Sequence, residues 1–300
     1  MTATDVLKRS VSLGRYASKA TAVVVLAALA MPFQAEARTA PNSFADLSAR
    51  LLPSVVNIST TQTTKRQRGP GAQRPQLPPG SQFEDFFREF FDRQQRRGAP
   101  QRRMTSLGSG FIIDPAGYIV TNNHVIADAD EITVTLANDS RLKAKVIGRD
   151  AKTDLALLKV KPDTPLHAVG FGDSHATRVG DWVVAIGNPF GLGGTVTAGI
   201  VSARHRDINS GPYDDFIQTD ASINRGNSGG PMFNLDGKVI GVNTAIFSPS
   251  GGSVGIGFAI PSNLAKPIID QLRKFGRARR GWLGVRIQTV TDDIAQSLEL

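Results

Sequence analysis

A chain of 300 residues, 40% hydrophobic and 20% charged, is long enough for one large or two ordinary domains around a sizeable core. It has no cysteine, which excludes thiol nucleophiles, disulfides and thiolate metal sites, and its 30 glycines against three tyrosines and two tryptophans favour short strands and tight turns over a helical bundle. The net charge of +9 invites a nucleic-acid reading, which ranks last because the basicity belongs to one segment: residues 61–105 hold ten Lys or Arg against four Asp or Glu, residues 1–37 hold four against two, and the rest is close to neutral.

At the N-terminus Lys8, Arg9, Arg15 and Lys19 precede an apolar run from Ala20 to Met31, and "AEA" at Ala35–Ala37 offers small residues at a cleavage spacing. The run is shorter than the ~20 apolar residues of a spanning helix, so residues 1–37 read as a secretory signal cleaved near Ala37, with an uncleaved anchor as the rival. A protein so addressed works outside the cytoplasm, in a periplasm.

Residues 61–105 are rich in Arg, Gln, Pro and Gly and read as a long insertion. Within them "FEDFFREFF" places Phe83, Phe86, Phe87, Phe90 and Phe91 on one stripe of an amphipathic helix, to dock on its own domain or on another subunit. From residue 107 short β-branched runs alternate with turn signals: "SGFII", "YIVTN", "ITVTL", "LKAKVIG", "LALLKV", "WVVAIG", "TVTAGIV", "FIQTD", "GPMFN", "KVIGVNTAI" and "GIGFAI". With hardly a helix between them, they predict antiparallel barrels or sandwiches rather than a parallel βαβ sheet. One helix follows in "SNLAKPIIDQLRKFG", with Ser262 as N-cap, Leu264, Ile268, Ile269 and Leu272 as its apolar side and Gly276 as its stop. The basic "RKFGRARR" beyond it reads either as an interdomain linker or as a solvated helix end.

Three residues stand out as chemistry. Ser228, in "GNSGGP", is flanked by glycines that allow a sharp turn and close approach of a substrate, with the amides of Gly226 and Ser228 able to converge on an oxyanion. A phosphate cradle would want a lysine in the loop and a helix after it, whereas Pro231 begins a strand; a plain glycine turn stays open. A serine hydroxyl needs a base. Of His124, His167, His175 and His205, only His124, in "VTNNHVIADA", follows an apolar strand in a position to face a cleft. Asp154, in "AKTDLALLKV", sits where a strand begins and fits the acid that orients an imidazole. The order His, Asp, Ser, with separations of 30 and 74 residues, is that used on paired antiparallel barrels, so fold class and order agree.

The motifs "TNNHVI", "TDLALLKV", "AIGNPFGL", "TVTAGIVSA", "IQTDASINRGNSGGP" and "GIGFAIP", in this order, make residues 42–280 resemble the trypsin-like Deg/HtrA serine endopeptidases. The resemblance implies two six-stranded β-barrels in a protease domain at 38–280, with His124 and Asp154 on the first and Ser228 on the second. It implies an oxyanion hole from the amides of Gly226, Asn227 and Ser228, and a pocket for small aliphatic residues near Ile256, Gly257 and Phe258. It implies no metal, cofactor or nucleic acid. Unfolded proteins are the implied substrates, cleaved or, on the rival reading, captured by a chaperone-like cage. It further implies a homotrimer or larger assembly, in which Phe44 of "NSFADL" and the insertion make contacts, while the Arg-rich loop has the chemistry to touch an anionic membrane surface. "RGWLGVRIQTVTDDIAQSLEL" resembles the opening of a PDZ domain, so 281–300 reads as its N-terminal fragment; capture of a peptide C-terminus would need that domain completed.

Overall fold

The computed structural model describes residues 41–62, 104–187, 194–224, 226–248, 252–281, 284 and 289–299. The segment read as a secretory signal and the phenylalanine-rich stretch lie outside these residues. Helix α1 (Ala45–Leu51) and a 3₁₀ turn (Leu52–Ser54) lead into a sheet built from β1 (Val55–Gln62), β2 (Met104–Asp114), β3 (Tyr118–Thr121), β4 (Glu131–Thr135), β5 (Arg141–Lys143), β6 (Lys145–Asp150) and β7 (Leu155–Lys159). Their order, β5-β4-β1-β2-β3-β7-β6, is antiparallel throughout. The second half is a closed six-stranded barrel in the order β10-β13-β12-β11-β8-β9, from β8 (Trp182–Gly187), β9 (Thr195–Arg206), β10 (Phe216–Thr219), β11 (Pro231–Phe233), β12 (Val239–Ile246) and β13 (Gly257–Pro261).

The first half is a sheet whose two end strands are consecutive in the chain. The run "LKAKVIG", read as one strand, breaks at Ala144 into β5 and β6, which occupy opposite ends of the seven-stranded sheet. The Ala144 amide still donates to the Ile132 carbonyl at 2.9 Å, so the ladder continues one residue past β5 before the chain turns away to pair with β7. Gln62 and Met104, on either side of residues 63–103, are register partners.

Burial explains the strand sequences. In β7, Leu155 and Leu157 pack into a core shared with the second barrel, whereas Ala156 and Leu158 point into the interior of the first sheet with Ile58, Ile112, Ile119, Ile132 and Val134. A strand covered on both faces reads as a continuous apolar run, "LALL", instead of alternating. Strand β12 is buried at every position for the same reason. Phe44, expected at a subunit contact, is half-buried and packs at a tilt of 57° on Trp182 of its own chain, with centroids 5.6 Å apart.

Helix α2 (Asn123–Ile126) is a single turn after β3, and α3 (Ser262–Phe275) follows β13. On α3 the buried positions are Ser262, Ala265, Ile269 and Leu272, with Leu264 and Ile268 at the margin of the core. Gly276 ends the helix in the left-handed region at φ 71°, its amide donating to the Leu272 carbonyl. Ser262 does not cap: Pro261 holds that position. The Ser262 hydroxyl donates to the Gly172 carbonyl at 2.8 Å and accepts from the Ser174 amide at 3.1 Å, which ties the helix start to the loop before β8. A short helix α4 (Asp292–Ser297) lies in the segment read as a PDZ fragment. No described helix is long and apolar enough to cross a membrane.

Candidate active site

Strand β3 ends at Thr121, and the helical turn after it places His124 with both Val125 and Ile126 anchored in the interior of the first sheet. His124 is 7% exposed. Its Nδ1 lies 2.6 Å from Asp154 Oδ2, and its backbone amide donates to Asp154 Oδ1 at 2.8 Å. Because an ionised carboxylate only accepts, Nδ1 carries the proton, which leaves Nε2 as the basic nitrogen.

Asp154 immediately precedes β7 in the left-handed region, with φ 54°. That conformation costs a non-glycine residue roughly 1 kcal/mol or more, and the surrounding hydrogen bonds hold it. The Asp154 carbonyl accepts from Asn122 Nδ2 at 2.8 Å and from the Asn123 amide at 3.1 Å. Its Oδ2 also accepts from Thr244 Oγ1 at 2.8 Å.

Thr244 is a residue that the motifs did not expose. It lies in β12 of the second barrel, and its main-chain carbonyl accepts from Ser228 Oγ at 3.3 Å. One residue thus meets the acid through its side chain and the serine through its backbone, which places His124, Asp154 and Ser228 around a single point where the two sheets meet. The separation of 90 residues between Asp154 and Thr244 left no local signal for this contact.

Ser228 is also 7% exposed, in a loop stabilised mainly through its backbone. The Ser109 amide donates to the Ser228 carbonyl at 2.9 Å, Gly229 donates to the Asn243 carbonyl at 2.8 Å, and Gly230 donates to the Asn227 carbonyl at 2.9 Å. Gly229 has φ 84°, and a Cβ there would come within 2.3 Å of both the Ser109 carbonyl and Thr121 Oγ1, so glycine is required twice over. The Asn227 amide donates to the Asn224 carbonyl at 3.0 Å. It is therefore already engaged, whereas the amides of Gly226 and Ser228 have no acceptor among the described residues.

Of the predicted pocket residues, Phe258 is buried in the second barrel, edge-on to Phe216 at 6.4 Å. Ile256 is half-buried, its carbonyl accepting from the Phe247 amide at 3.0 Å, and Gly257 begins β13. His205 is elsewhere, in an exposed pair with Asp215 at 2.8 Å. Among the described residues no group of three or more His, Asp or Glu is arranged to hold a metal.

Four residues before Asp154, the buried Asp150 receives Arg280, whose Nη1 donates to Oδ1 at 2.9 Å and whose Nη2 contacts Oδ2. Thr153 Oγ1 donates to the same carboxylate at 2.5 Å, and Arg280 also lies over the Tyr213 ring at 4.5 Å. Burial pushes the Asp150 carboxyl up, but the hydrogen bonds from Arg280 and Thr153 and the charge of Arg280 outweigh it, so its pKa is held below the ordinary value. Asp114 is held low as well, chiefly by the Ala116 amide and against some desolvation, with Arg273 adding to the effect.

This geometry, on paired β units, is that of a trypsin-like peptidase domain, and a family model of that description matches residues 108–242. The chain is 54% identical over 277 residues to a probable periplasmic DegP-like serine endoprotease of Brucella suis, covering 86% of this chain and 54% of that protein. It is 57% identical over 235 residues to the protein of the same description in Rhizobium meliloti, covering 75% of this chain and 47% of that one. Among solved structures it is similar to the HtrA-type protease AlgW with a decapeptide, at TM-score 0.69 and 43% identity, over 86% of this chain and 76% of that one. The chain belongs to the HtrA-type serine proteases. It spans about half the length of the two relatives from Brucella suis and Rhizobium meliloti.

Proposed function

We propose that this chain is an extracytoplasmic serine endopeptidase that hydrolyses peptide bonds of unfolded or damaged proteins without a cofactor. The observation that carries this reading is the hydrogen-bonded run from Thr244 through Asp154 to His124, with Ser228 on the same Thr244. Ser228 Oγ attacks the carbonyl carbon while its proton passes to His124 Nε2, and Asp154 stabilises the resulting imidazolium. The amides of Gly226 and Ser228 receive the oxyanion. Collapse breaks the C–N bond as His124 returns the proton to the departing amine; water, deprotonated by His124, then releases the acyl group and restores Ser228.

The finer assignments follow from the same reading. Ile256, Gly257 and Phe258 border the pocket for small aliphatic side chains. Residues 38–280 form the protease domain, 281–300 begin a PDZ domain, and the product acts in the periplasm after cleavage of residues 1–37, the location named for its relatives. Assembly into a homotrimer or larger cage through Phe44 and the 61–105 segment would bring several sites to one substrate chain. The hydrogen-bonded run of His124, Asp154 and Thr244, with Ser228 held on the same Thr244, favours proteolysis over capture alone. Ser228→Ala is expected to keep the folded far-UV spectrum and to lose at least about a thousandfold in cleavage of denatured casein. Wild-type-like cleavage by that variant, or a folded wild type inert to a fluorophosphonate, overturns the reading.

A further inference from the structure

The segment from Gly226 to Gly229 contains three successive peptide planes, and each has its carbonyl tied. Asn227 O is held locally by the Gly230 amide at 2.9 Å. The other two are held by one residue of the opposite sheet. Ser109, on β2, donates its hydroxyl to Gly226 O at 2.6 Å and its amide to Ser228 O at 2.9 Å. Ser109 is fully buried, and its own carbonyl accepts from Thr121 Oγ1 at 2.7 Å, three residues before His124.

Gly226 is buried, so its carbonyl needs a partner inside the protein, and the described contacts give it the Ser109 hydroxyl. The plane joining Gly226 to Asn227 is then pinned at both ends, its oxygen by Ser109 and its N–H by the Asn224 carbonyl at 3.0 Å. With that plane fixed, the direction of the Gly226 N–H depends on the rotations at Gly226 itself, which adopts φ 95°. We infer that Ser109 is a positioning residue for the reaction: its hydroxyl sets the Gly226 amide that receives the oxyanion, while its backbone fixes the Ser228 carbonyl. The inference rests on the endopeptidase reading and adds to it a residue of the first sheet that acts on the nucleophile loop of the second.

Removing the hydroxyl leaves the Ser109 amide in place, so Ser228 stays anchored and the Gly226 side of the hole loosens. Loss of an oxyanion donor costs about 10²–10³ in kcat, and misaiming one should cost less. For the full 300-residue chain, kcat and KM are measured on a peptide that wild type cleaves, with inhibition by a peptide boronate and thermal unfolding alongside. Ser109→Ala is expected to lower kcat about 10- to 100-fold with KM within about twofold, and to weaken the boronate by a similar factor. The pH midpoint of kcat should not move, because His124, Asp154 and Thr244 are untouched. Ser109→Cys, which retains a weak donor, should fall between the two. A Ser109→Ala enzyme with wild-type kcat, or with raised KM and unchanged kcat, overturns the inference. If Ser109→Ala does not fold, Ser109→Cys against wild type decides by the same split between kcat and KM. A wild type that cleaves nothing sinks the endopeptidase reading and this inference together; cleavage by wild type and Ser109→Ala alike sinks only the role of Ser109.

Discussion

The two halves of the candidate site are stabilised by different parts of the chain. On the acid–base side, side chains meet side chains: His124 Nδ1 and Thr244 Oγ1 both converge on Asp154 Oδ2. On the nucleophile side the main chain dominates, with the carbonyls of Gly226, Asn227 and Ser228 and the amide of Gly229 all tied by hydrogen bonds. The difference suits what each half is proposed to do. A proton relay needs groups that titrate and hold one tautomer, whereas an oxyanion hole needs fixed dipoles aimed at a point. Substitutions should therefore expose the first half through its side chains and the second through its backbone.

The largest effect is expected on the relay. Asp154→Asn keeps the shape but removes the acceptor that holds the His124 tautomer, and kcat should fall about 10⁴-fold while thermal unfolding changes little. Steady-state kinetics and a melting curve on the same sample check this split. The matching backbone lesion is Gly229→Ala, whose methyl would meet Ser109 O and Thr121 Oγ1 at 2.3 Å. It should destabilise the fold by about 1–3 kcal/mol and lose activity with it, seen as a lower denaturant midpoint.

A smaller effect, dependent on pH, is expected next to the relay. The Asp150 carboxyl has a folded pKa below its unfolded one, so it contributes stability above the unfolded pKa of about 3.9 and loses it as pH falls through the folded value. Asp150→Asn should thus lower the melting temperature at pH 7, and its difference from wild type should shrink as pH is taken below about 4. Parallel melting curves across that range, with an undiminished gap in acid, would assign the effect to packing instead of charge.

What the sequence made legible tracks the range of the interactions. The antiparallel class was readable because turn signals and β-branched runs are local, and His124, Asp154 and Ser228 could be proposed because each sits in a motif whose order matches the fold. Thr244 and Ser109 were not. Each meets a partner about 90 residues or more away, Asp154 for one and Gly226 for the other. The same limit hid the Ser262 contact to Gly172, since a serine at a helix start looks like a cap until its distant acceptor is known. The break at Ala144 was hidden for a related reason: "LKAKVIG" has the composition of one strand, and only pairing with two different neighbours divides it.

That break has a consequence for solubility. A sheet edge with unpaired amides invites any extended chain to add a strand, a hazard for a protein proposed to handle unfolded ones. Here both edges come from one short stretch of polypeptide. Strand β5 is three residues long and carries Arg141 and Lys143, and β6 carries Lys145 and Arg149 with a register shift between Val146 and Gly148. The carbonyl of Gly276 lies 2.6 Å from where a Gly148 side chain would begin, so the end of α3 covers one face of β6 there. An unfolded chain is thus offered little to extend here, and the sheet is guarded against becoming a template for the material the protease is proposed to remove.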